Sequence, residues 1–80
     1  MLTTEEALEL MTVEQMMMTR KRQVALRLSE GSLSEDKENK LDAEFWALNH
    51  LLNKEADLKG HHLQDLKHAI KTGKSPAEAE

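Results

Sequence analysis

The stretch LDAEFWALNHLLNKEADL, Leu41 to Leu58, contains Phe45 and Trp46, the only phenylalanine and the only tryptophan of the chain, in its densest run of leucines. Leu41, Phe45, Leu48 and Leu52 recur at i, i+4, i+7 and i+11, so a 3.6-residue period puts them on one side of a helix. No Pro or Gly interrupts the run before Gly60. This side is a core-facing stripe. Trp46 does not share it: at about 100° per residue it lies more than about 90° away. Its helical neighbours are Ala43, Ala47, Asn49 and His50, and the two small alanines allow close approach to the backbone. Two readings of Trp46 follow. Either it is a core filler in a helix covered on both sides by its own chain, or Trp46, Ala43, Ala47 and His50 form an interface for a second copy or another protein.

Residues 13–29 read as a second long helix. Leu10, Val13, Met17, Val24 and Leu28 share one side, and Met11, Met18 and Ala25 recur at i, i+7 and i+14 on another. The second stripe either fills the core or offers an adaptable, Met-rich surface to a partner. Between the two helices, Glu30-Gly31-Ser32-Leu33-Ser34 is a turn. Gly31 suits the left-handed end of the first helix and Ser32 or Ser34 the N-cap of the next. So short a connection predicts an antiparallel hairpin. Glu35, Asp36 and Glu38 complement the positive end of the second helix.

Capping-box spacing, Ser/Thr followed three residues later by Glu/Gln, occurs at Thr3/Glu6, Thr12/Gln15, Ser32/Glu35 and Ser75/Glu78. It predicts a short helix over 4–11, with a break at Thr12. Residues 53–60 are expected to fray or bend. Beyond Gly60, residues 61–72 carry a narrow apolar stripe of Leu63, Leu66 and Ile70 and stop at Gly73. The expected organisation is one domain over 1–74 followed by a mobile tail over 75–80.

Composition agrees with an all-α chain. The 80 residues include one Pro, three Gly and no Cys, and 32% are charged against 39% hydrophobic. Few Gly, Pro and β-branched residues favour helix over sheet. With no cysteine there is neither a disulfide nor a thiolate metal site, which favours a cytoplasmic setting over a secreted one. No apolar run approaches the length of a membrane span. The acidic start, Thr3-Thr4-Glu5-Glu6, is unlike a signal-peptide n-region.

The net charge of −4 conceals segregation. Residues 20–27 contain Arg20, Lys21, Arg22 and Arg27 and no acid, and residues 59–74 contain four lysines, Lys67 and Lys71 among them, against Asp65. These two segments are the candidates for nucleic-acid contact. The basic residues of 20–27 spread around their helix, unlike those of a recognition helix, so Arg20 and Arg27 have the alternative of covering the core edge or pairing with glutamates of the next helix. His61, Asp65 and His68, at i, i+4 and i+7, are a weak metal candidate without a third strong ligand. No phosphate-loop, nucleophile-elbow or zinc-protease motif is present.

The expected fold is a small all-α bundle built on an antiparallel hairpin of 13–29 against 35–58, with short helices at 4–11 and 61–72 packed on it. The expected function is a non-enzymatic protein–protein interaction module without a cofactor. It would be a small regulator, adaptor or inhibitor of a larger protein partner that also self-associates, as a dimer. Its interface candidates are Trp46, Ala43, Ala47, His50, Met11 and Met18. The alternative is a nucleic-acid-binding regulator using Arg20, Lys21, Arg22, Arg27, Lys67 and Lys71.

Overall fold

The computed structural model describes residues 1–74; the expected tail over 75–80, with the Ser75/Glu78 capping pattern, lies outside the described residues. Among the described residues there are four α-helices and no strand: α1 (Thr4–Leu10), α2 (Val13–Glu30), α3 (Glu35–Asn53) and α4 (His61–Thr72).

The sequence sets three of these helix starts by capping. Thr3 Oγ1 accepts the Glu6 N–H at 3.1 Å, and Glu6 Oε1 accepts the Thr3 N–H at 3.3 Å. The same reciprocal pair joins Thr12 and Gln15, at 3.1 and 2.9 Å. Each box satisfies donors that a helix start leaves unpaired. The second box forces the break between α1 and α2, because Met11 and Thr12 are extended. Ser34, and not the Ser32 of the Ser32/Glu35 pattern, caps α3, its Oγ accepting the Lys37 N–H at 3.4 Å. Gly31 ends α2 in the left-handed conformation, at φ 71°, where a side chain is unfavourable.

The end of α3 falls short of the Leu58 bound expected for the hairpin and coincides with the start of the 53–60 stretch expected to fray or bend. The helix stops at Asn53, and the Ala56 N–H reaches back to the Leu51 carbonyl at 3.0 Å and the Glu55 N–H to that of Leu52 at 3.1 Å. These are the two bonds of a Schellman stop, in which Glu55 takes the left-handed position at φ 55° that glycine usually fills. No glycine or proline signals this stop, which is why the periodic pattern overran it.

Helices α2 and α3 form the antiparallel hairpin: Arg20 meets Glu44, whereas Val13 and Glu14 face Leu52 and Glu55. Helix α4 packs against α2, and α1 against α4. The main core cluster is Leu8, Met16, Met17, Leu48, Leu66 and Ile70, with Val24 and Leu41 also fully buried toward the hairpin turn. Met16 was absent from the expected stripe yet is buried. Leu10, placed there by periodicity, is 74% exposed because α1 is a separate helix with its own orientation.

Between the main cluster and the Val24/Leu41 pair lies a charge. Arg20 is completely buried. Its Nε donates to Glu44 Oε2 at 2.8 Å, its Nη2 to Glu44 Oε1 at 3.0 Å and its Nη1 to Gln23 Oε1 at 3.2 Å. Gln23 Nε2 then donates to the Ile70 carbonyl at 3.1 Å. One two-pronged ion pair and one amide therefore tie α2 to α3 and to α4.

Candidate functional site

Helix α4 covers the side of the hairpin on which Arg20 and Gln23 lie. The opposite side stays open. There, between α2 and α3, is a groove of about 500 Å³. Its apolar floor is Met18, Ala25, Phe45 and Leu52, and its polar rim is Glu14, Lys21, Arg22, Asn49, Asn53 and Glu55. The Trp46 ring meets Phe45 edge-on with centroids 5.8 Å apart, and Trp46 is 60% exposed. Phe45 thus connects the groove floor to the exposed tryptophan. Edge-to-face rings hold one another in orientation, so the exposed indole is set against a ring that lines the groove.

Lys21 sits at the centre of this face. Its Nζ lies 5.2 Å from the Phe45 ring centre and donates to Asn49 Oδ1 at 2.8 Å. A cation over a ring face is favourable by about 0.5–1 kcal/mol at an exposed site. No ion pair joins Lys21, Arg22 or Glu14 to another described residue. The local cause is in the sequence: positions three and four away from each hold no opposite charge, so the usual neighbouring pair along a helix cannot form. The face therefore holds apolar side chains beside charges that nothing in the described chain neutralises.

The other expected site residues are distributed differently. Ala43, Ala47 and His50 are exposed on α3 but do not line the groove, whose α3 wall is Phe45, Asn49, Leu52 and Asn53. Met18 belongs to the open face; Met11 is half-buried against the core. Met16 and Met17, earlier on the same helix as Met18, are core residues.

The basic segments do not merge into one positive face. Arg20 is removed from any nucleic-acid surface by its burial on Glu44, and Arg27 is half-buried. Helix α4 does lie beside residues 20–27, but its lysines face acids of α1. Lys71 Nζ is 2.9 Å from Glu5 Oε1, and Lys67 lines a depression with Glu5 and Glu9. The hydrogen bond from Lys71, and then its charge, hold the Glu5 carboxyl below the usual carboxylate range. This leaves Lys21 and Arg22, on the open hairpin face, as the uncompensated cations of the first segment.

His61, Asp65 and His68 are exposed, and the His61 ring lies against His62 with centroids 3.9 Å apart. Among the described residues no group of three or more such side chains is arranged to hold a metal. No helix among them is long and apolar enough to cross a membrane. Comparison with protein-family models, with curated proteins and with solved structures finds no match to this chain.

Proposed function

We propose that this protein is a non-enzymatic protein–protein interaction module, acting as a small regulator, adaptor or inhibitor, and that the open face of the α2/α3 hairpin is its working surface. The observation that carries the reading is the juxtaposition of exposed Trp46 and Met18 and half-buried Phe45 with Lys21 and Arg22, two cations without a carboxylate partner. Aromatic and Met side chains beside Arg are the composition of interface centres. The groove lining includes no serine, threonine, cysteine or histidine, so what it offers is contact area and charge. The partner chemistry that fits is an amphipathic helix that lays its apolar stripe on Met18 and Phe45 and brings a carboxylate to Lys21 and Arg22.

The test uses a designed helical peptide without tryptophan, with leucines at helical spacing and glutamate flanks. Trp46, the only indole in the chain, reports on the face directly. The peptide should shift the Trp46 emission saturably, bind more weakly as salt rises, and be lost to the double variant Lys21→Glu/Arg22→Glu. A lysine-flanked version should bind less well. Absence of any emission change with the glutamate-flanked peptide, or equal binding of both peptides, overturns the reading.

A further inference from the structure

Resting on that reading, we infer that the helix this face takes is α2 of a second copy of the same chain, laid antiparallel across the first and centred on Met18. Glu14, Met18 and Arg22 stand at i, i+4 and i+8 on α2. Such a row forms a ridge on a helix surface, and helices pack by seating a ridge of one in a groove of the other. This row has a groove on each side. One is the α2/α3 groove; the other is lined by Met11, Gln15 and Thr19 together with Glu14, Met18 and Arg22. The ridge and its flanking grooves are therefore the two parts that helix-on-helix docking needs.

The order of charges along the ridge selects the occupant. It reads negative, apolar, positive, with Glu14 and Arg22 each about 6 Å along the axis from Met18. A two-fold axis just beside Met18 exchanges the two ends and lays each ridge in a groove of its partner, with the two Met18 side chains side by side. It brings Glu14 of one protomer to Arg22 and Lys21 of its partner, twice, and Met18 to Met18. A two-fold contact must be self-complementary, and this row is. The charges involved have no ion-pair partner within the described chain, so pairing across the axis breaks no ion pair within a protomer, and Lys21 has donors to spare beyond its bond to Asn49. Trp46 and Phe45 then flank the crossing on the α3 side.

The experiment is a charge-swap series read by sedimentation equilibrium, with circular dichroism to confirm the fold. Both charges are at the surface, so the variants should stay helical. Wild type should be a dimer. Glu14→Arg and Arg22→Glu should each dimerise about tenfold or more weakly, because each replaces two attractive contacts by two repulsive ones. The two single variants mixed together should form a heterodimer, since all four charges are then complementary. Glu14→Arg/Arg22→Glu in one chain should recover self-association. A wild type that is monomeric throughout overturns the second-copy inference, while the face itself stands if the glutamate-flanked peptide still binds. A dimer indifferent to the charge series, or single variants that do not recover on mixing, overturns this register.

Discussion

Replacing Glu44 by Gln keeps its shape and removes its charge, and it should be the most damaging conservative change in the protein. Arg20 has no exposed side-chain surface, whereas the Glu44 side chain is 23% exposed. When the carboxylate is lost, the guanidinium is left buried with a full positive charge and no water to take the place of the acid. Breaking a buried pair from one side costs about 3–5 kcal/mol. The Gln carbonyl can still accept one bond, so about 3 kcal/mol is the expected loss. A chain of this size has a total stability of about 4–12 kcal/mol, and each kcal/mol moves its melting point by about 4–8 °C. The midpoint should therefore fall by roughly 10–25 °C. Arg20→Met should cost less, about 1–2 kcal/mol, because the orphaned Glu44 reaches solvent. Arg20→Met/Glu44→Leu should return to within about 1 kcal/mol of wild type, as buried pairs exchanged for apolar residues commonly do. Urea unfolding followed by far-UV circular dichroism measures all three. A loss under about 1 kcal/mol for Glu44→Gln, or an Arg20→Met variant hurt more than Glu44→Gln, would refute the account.

Two further predictions concern local features. Glu55→Gly should raise stability by about 0.5–1 kcal/mol, since glycine relieves the left-handed strain of the α3 stop at a partly offsetting entropic cost; a thermal midpoint that falls instead would mean that the Glu55 side chain makes a compensating contact. The Glu5–Lys71 pair should give a pH-dependent advantage over Glu5→Gln. The folded carboxyl titrates below its ordinary range, so the contribution is present above the unfolded value and is lost as pH falls through the lowered one. The melting-point gap between the two proteins should be small and constant near neutrality and close in acid, and a gap that widens in acid contradicts the assignment.

The fold was legible where the chain carries explicit punctuation. Thr3/Glu6, Thr12/Gln15, Gly31, Gly60 and Gly73 mark boundaries by side-chain chemistry or by backbone freedom, and α1, α2 and α4 begin and end at or beside them. Errors came where tertiary packing decided. The end of α3 is made by backbone bonds around Glu55, which no residue type announces. Leu10 fits the helical phase of Val13 and Met17, but phase has no meaning across the extended Met11 and Thr12. Met16 is buried because α1 and α4 close over α2 from a second direction, so α2 has a wider core face than a single stripe suggests.

The candidate site was half legible for a related reason. Periodicity assigns a residue to a side of its own helix; it does not say which side of the neighbour that becomes. Trp46 and the Met18/Ala25 stripe were separately marked as surplus apolar surface, and their positions on α3 and α2 gave no sign that Met18 and Ala25 share a groove with Phe45, the ring against which Trp46 is set. The hairpin decides this: once Arg20 is fixed on Glu44 and α4 is fixed on Gln23, the remaining side of α2 and the remaining side of α3 become one face. Burial of Arg20 thus has two consequences. It removes a cation from the basic segment 20–27, and through the same bonds it orients α2 so that Glu14, Met18, Lys21 and Arg22 point outward together. A substitution that releases Arg20 should therefore disturb docking at the open face although it touches no residue there. The Arg20→Met/Glu44→Leu variant, stable but without the two-pronged clamp, separates the effects. If its dimerisation falls while its unfolding midpoint holds, the ion pair serves orientation; if dimerisation is unchanged, apolar packing alone sets the angle of the hairpin.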